Sequence, residues 1–206
     1  MTSRLRLQPA WRGFALGLVL LGSVAAAPGR AQTPQVTDGA HDAYRQPGTR
    51  WGPPHYQTPQ PDLSDSAADI RSVVFENSSS ALVYTVTIAL QAAPDGDHNY
   101  IAGGDFGSGC VIYHIMTPTT LAEANIFCGR NSEFTDSFVG SLVEVKGEAV
   151  LATFAYQSTQ IPPAAQLEDE ITGLFALTCR SADGSRGCTS PTTLDWAEAP
   201  AATFRI

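Results

Sequence analysis

Lysine is nearly absent from this sequence: Lys146 is the only one in 206 residues, and the formal net charge is −8. A phosphate backbone or an anionic membrane surface needs a basic footprint, so nucleic-acid and acidic-lipid partners are excluded. A membrane span needs about 20 apolar residues. The candidate run, Gly13 to Ala27 (GFALGLVLLGSVAAA), is too short. It follows Arg4, Arg6 and Arg12 and ends in small residues, which predicts a secretory signal over residues 1–31 cleaved after Ala31. No cysteine closes the apolar run and no adjacent arginine pair precedes it, which argues against lipoprotein and twin-arginine export. The spacings also lack any C-x-x-C pair. No internal repeat is visible, and only residues 164–170 suggest a helical turn.

The expected product is secreted, extracellular or periplasmic, with no membrane span after signal cleavage. Removing 31 of 206 residues leaves 175, enough for one domain with an extension. The signal carries Arg4, Arg6, Arg12 and Arg30 and no acid, so the formal charge moves from −8 to −12. Exported proteins keep disulfides. Cys179 and Cys188 flank a turn at Asp183-Gly184, which makes them a natural staple and leaves Cys110 with Cys128 as the second bridge. A four-cysteine metal site is the competing reading.

Residues 32–61 carry Pro34, Pro47, Pro53, Pro54 and Pro59 without any period, and read as a disordered linker. Within it, Trp51, His55 and Tyr56 could dock onto the domain or a partner. From Asp62 to Ile206 the chain turns into short β-prone runs separated by Gly, Pro, Asn and Asp. The clearest is Ala81 to Gln91, where Leu82, Tyr84, Val86, Ile88 and Leu90 share one face. Further strands are expected at 69–76, 100–106, 110–116, 124–128, 141–145, 148–156, 170–180 and 203–206. About eight or nine strands with little helix predict an all-β fold, an antiparallel β-sandwich of jelly-roll type.

Candidate sites follow from residue chemistry. Asp62, Asp65 and Asp69 lie three and four residues apart on a loop before a strand. Hard oxygen donors in that setting suit Ca²⁺; the alternative is a solvated loop whose aspartates cap turns. Asp95, Asp97 and Asn99 open like a calcium loop, but Tyr100 stands where an EF-hand needs glycine, so a hairpin turn is the better reading. His114 sits in the apolar run VIYHIM and reads as a satisfied sheet histidine. Gly107-Ser108-Gly109 is not the G-x-S-x-G of a nucleophile elbow. Trp196, Tyr100 and Tyr113 are candidates for stacking on sugar rings, against a core-packing alternative.

The run DLSDSAADI, then VVFEN and ALVYTVTIAL, with GLFALTC and LDWAEAP later, resembles secreted DOMON-like modules and the family 9 carbohydrate-binding sandwiches. The resemblance spans Asp62 to Ile206. It implies a β-sandwich that binds sugar, haem or calcium, with the calcium role falling on Asp62, Asp65 and Asp69. The sequence therefore leads to a secreted, monomeric binding module for carbohydrate or a cell-envelope glycan, with structural Ca²⁺. The alternatives are a secreted hydrolase, a glycosidase or esterase, and an envelope protein-interaction domain.

Overall fold

Alternation decides the architecture. In strand β3 (Val83–Leu90), Tyr84, Val86, Ile88 and Leu90 are buried, while the residues between them are only partly covered. A period of two puts one face of a strand into a core. Leu82, expected on that apolar face, precedes the strand instead, at φ 63° and 47% exposed. The tight connection from β2 (Ile70–Asn77) needs a left-handed residue there, and that conformation turns the leucine outward.

The computed structural model describes residues 33–39, 65–80, 82–107, 109–128, 133–156, 170–180 and 193–206. The expected signal, the aromatics Trp51, His55 and Tyr56, residues 164–169 of the expected helical turn, Asp62 and Cys188 lie outside the described residues, and Glu170 opens a strand. The described residues are all-β, with no helix among them, in two antiparallel sheets that form a sandwich. All belong to one unit, Gln32–Ile206. The other strands are β1 (Val36–Thr37), β4 (His98–Asp105), β5 (Cys110–Met116), β6 (Leu121–Cys128), β7 (Glu133–Leu142), β8 (Glu144–Lys146), β9 (Ala149–Ala155), β10 (Glu170–Arg180) and β11 (Thr193–Arg205). The five-stranded sheet has the order β1-β2-β3-β9-β8 and the six-stranded sheet the order β11-β10-β4-β5-β6-β7.

The core lies between the sheets. Tyr84, Phe75, Ile88 and Phe154 from one sheet meet Tyr100, Ile112, Met116 and Ile126 from the other, all fully buried. Each such side chain contributes roughly 1.5–3 kcal/mol when removed from water. Cys110 and Cys128 face each other in register on β5 and β6 and are joined by a disulfide. Those two thiols are therefore not available to a four-cysteine metal site. Cys179 is also disulfide-bonded.

The segment expected as a disordered linker contributes its first residues to the fold. Val36 is fully buried and pairs with Val73. Gln35 lengthens that pairing with its side chain: its amide donates to the Phe75 carbonyl and accepts from the Phe75 N–H, both at 2.9 Å. Two residues of strand are too short to show any period in the sequence.

Candidate functional site

Strand β4 is central in the six-stranded sheet and covered on both faces, so residues alternating out of the core still find apolar neighbours. On the face turned away from the core, Ile101, Ile115, Leu177 and Cys179 form a second cluster. Tyr113, Phe175 and Trp196 pack over it, each half-buried. The registers arrange this outer face in three rows. Trp196, Leu177, Ile101, Ile115 and Glu123 make the first, running from β11 to β6. Glu198, Phe175, Gly103, Tyr113 and Asn125 make the second. Thr172, Asp105, Val111 and Phe127 make the third.

Aromatic rings cross these rows as a continuous strip. Trp196 and Phe175 stack at 5.1 Å between centroids and 5° between planes. Phe175 meets Tyr113 edge-on at 5.5 Å, and Tyr113 meets Phe127 at 5.6 Å. With strands about 4.8 Å apart, a strip from β11 to β6 spans about 19 Å. Gly103 makes the middle passable. A Cβ there would lie 2.1 Å from the Ile112 carbonyl oxygen and 3.0 Å from the Phe175 ring. Only glycine lets Phe175 lie across β4 toward Tyr113. Burial pushes the Tyr113 phenol up, so the ring stays neutral. Trp196 Nε1 donates to Glu198 Oε2 at 3.3 Å, which places a carboxylate at the edge of the stacked pair.

Tyr100 lies elsewhere. It is fully buried between the sheets, where its hydroxyl donates to the Ala67 carbonyl at 3.1 Å and accepts from the Asp95 N–H at 3.2 Å. Its place on the even-numbered face of β4 follows from the same alternation that puts Ile101 and Gly103 outward.

The acidic segment before β2 is built into the end of the sandwich. Arg180 donates to Asp65 Oδ2 at 2.8 Å, and His98 Nε2 lies 3.3 Å from the same oxygen. His98 is buried, and its Nδ1 is 2.5 Å from Asp95 Oδ1. Asp95 Oδ1 also accepts from the Asp97 N–H at 3.0 Å, a local turn cap. Asp69 is buried, and its carbonyl accepts from Gln91 N–H at 2.8 Å. Asp65 is thus held by the Arg180 guanidinium, with the His98 ring beside the same oxygen. Among the described residues no three His, Cys, Asp or Glu side chains are grouped to hold a metal ion.

His114 is sealed in the core. Its Nδ1 is 3.1 Å from the Ala102 carbonyl oxygen, which can only accept, so Nδ1 carries the proton. Nε2 then accepts from the Tyr84 hydroxyl at 2.7 Å. Phe75, Tyr84 and Phe154 surround the ring edge-on. Burial lowers its pKa to about 4, against a smaller opposing effect of the Ala102 carbonyl. A fully buried neutral imidazole with both nitrogens occupied does not reach a substrate.

No family model, curated protein or solved structure matches this chain.

Of the three aromatics singled out from sequence, Trp196 and Tyr113 are brought to one surface and Tyr100 is not. Phe175, Phe127 and Gly103 were missed. Alternation in GLFALTC puts Phe175, Leu177 and Cys179 on one side, but nothing in a single strand says whether that side faces the core. A row of half-buried rings beside a carboxylate can offer ring faces and edges to a planar apolar group and accept a hydrogen bond at its rim. It presents no nucleophile paired with a base.

Proposed function

We propose that this protein is a non-catalytic binding module that takes glycan chains, of the cell envelope or free, across the outer face of its six-stranded sheet. The observation that carries this reading is the ring strip Trp196, Phe175, Tyr113 and Phe127. The axial C–H faces of pyranose rings are flat and weakly apolar, and they stack on aromatic side chains whose area is available at low entropic cost. The resemblance of the sequence to DOMON-like and family 9 carbohydrate-binding modules supports the same reading. The test is retention of the purified protein on immobilised polysaccharides of neutral, anionic and cationic type. Retention on at least one is expected, weakened about tenfold or more by Trp196→Ala and by Tyr113→Ala, in line with loss of a buried aromatic contact. Retention on none, or retention indifferent to both substitutions, overturns the reading.

A second reading, an envelope protein-interaction domain, has one observation in its favour. Leu121 and Leu142 pair across β6 and β7, and with Val139 they are 46–60% exposed at the sheet edge. Exposed apolar side chains grouped at a strand edge are the usual mark of a protein contact. Lysine substitution at Leu142 would abolish a protein contact there and leave glycan retention intact.

A further inference from the structure

Asn125 sits in the middle of β6, although asparagine is a poor strand former. It is opposite Tyr113 on β5 and Ser137 on β7, in the second row of the outer face. Phe127 follows two residues later on the same face. Asn125 therefore lies beside the edge-on pair Tyr113 and Phe127, whose centroids are 5.6 Å apart. The residue is partly covered, and its side-chain carbonyl oxygen Oδ1 is enclosed without a hydrogen-bond partner. Among the described residues, the other enclosed side-chain atoms without a hydrogen bond are on Asp38, Asp69 and His98. Asp38 and Asp69 carry further interactions, and His98 Nε2 lies 3.3 Å from Asp65 Oδ2. Of these atoms, Asn125 Oδ1 is the one in the rows of the ring strip.

An enclosed carbonyl without a donor has lost its water and gained no hydrogen bond in return. Leucine would fill much the same space without that loss, and valine would also suit the strand. Asn125 thus lowers stability in two ways, at a place where rings are gathered. Such local conflicts mark groups that serve a contact the unliganded protein lacks. We infer that Asn125 reads the hydroxyls of the sugar ring that stacks on Tyr113 and Phe127, so that the ligand class is a pyranose chain with unsubstituted hydroxyls. This rests on the glycan reading above and deepens it. A pyranose stacked by its C–H face directs its equatorial hydroxyls outward in the ring plane, toward side chains that flank the aromatic pair. The asparagine amide offers an acceptor and two donors to such hydroxyls. Its Cβ–Cγ torsion is broad, so a partial turn of a partly covered side chain brings Oδ1 within reach of a hydroxyl. The donor that Oδ1 lacks then comes from the ligand. A chain whose hydroxyls are etherified keeps the stacking face and has lost those donors.

The experiment joins urea unfolding to retention, on the full-length protein and on Asn125→Leu and Asn125→Val. The probes are the neutral, anionic and cationic polysaccharides named above, each with its hydroxyls intact and with them O-methylated. The native protein is expected to hold the unmethylated form of the polysaccharide it retains at least about tenfold more tightly than the methylated form. Both substitutions should weaken retention of the unmethylated form about fivefold or more and narrow the gap between the two forms. At least one of them should raise the urea midpoint, because an apolar side chain leaves no carbonyl stranded. An asparagine with a purely structural role would move the midpoint the other way. A midpoint unchanged or lowered in both variants means that Oδ1 is satisfied in the unliganded protein, by water or otherwise, and overturns the inference. Retention indifferent to both variants, or equal for methylated and unmethylated chains, also overturns it and leaves the glycan reading standing. Retention on none of the polysaccharides overturns both.

Discussion

His114 shows how one polar side chain can be fixed in an aromatic core. The Ala102 carbonyl sets the tautomer and the Tyr84 hydroxyl satisfies the remaining nitrogen. Removing that hydroxyl strands a buried acceptor, so Tyr84→Phe should cost about 1–3 kcal/mol in urea unfolding despite its near-identical shape. The same residue makes the fold acid-sensitive. The folded state keeps the ring neutral down to about pH 4, whereas the unfolded chain takes up the proton near 6.5. Stability from this group is therefore complete above about pH 6.5 and is lost as the pH falls toward 4, about 3 kcal/mol in all. Urea midpoints across that range should fall steeply for the native chain and less for His114→Phe. Parallel slopes for the two proteins would assign the acid sensitivity to other groups.

At the level of strands, Gly103 links the core to the aromatic strip on the outer face. Gly103→Ala places a methyl against the Ile112 carbonyl oxygen and the Phe175 ring, so a shift in β4 or β5 is unavoidable. A loss of about 1–3 kcal/mol is expected from overpacking, together with displaced near-ultraviolet signals of the Phe175–Trp196 pair. An unchanged near-ultraviolet spectrum would show that the ring adapts without moving the stack. The Cys110–Cys128 bridge ties adjacent strands over a separation of 18 residues. Its removal should lower stability by about 2–4 kcal/mol. Strands with clean alternation were legible in the sequence, as β3 shows. Strand β7 was not, because Asp136 and Gly140 interrupt its apolar pattern, and yet Asp136 is buried. Most of β11 was missed for a similar reason. It is alanine-rich and contains Pro200, which is tolerated because β11 lies at the sheet edge and pairs with a register shift opposite Gly173. The aromatic strip was half legible. Alternation groups residues by face, but which face is inward depends on partner strands distant in sequence.

Across the whole molecule, the segment from Asp65 to Ile70 acts as a clasp between the sheets rather than as a free acidic loop. It leads into β2 of the five-stranded sheet, while its polar groups are held by the six-stranded one. Tyr100 donates to the Ala67 carbonyl, Thr178 donates to the Ala68 carbonyl at 2.7 Å, and the Ile70 N–H donates to Asp195 Oδ2 at 2.6 Å. Arg180 closes the outer end on Asp65. Asp195 is the inner anchor, 1% exposed, and its other oxygen accepts from the Trp196 N–H at 2.9 Å. It thus ties the sheet-to-sheet clasp to the backbone that carries the stacked indole. Replacing it with alanine removes the acceptor of the buried Ile70 N–H and of the half-buried Trp196 N–H, and hydrogen bonds to a charged acceptor are worth about 1.5–3 kcal/mol each. Asp195→Ala should therefore lower stability by about 3 kcal/mol, whereas Arg180→Ala, acting on a half-exposed pair, should cost under about 1 kcal/mol. Hydrogen exchange locates the effect: the amides of Ile70 and Arg71 should lose protection in Asp195→Ala before those of β9, which the clasp does not touch. Equal loss of protection throughout would mean that the two sheets separate together and that the clasp has no stability of its own.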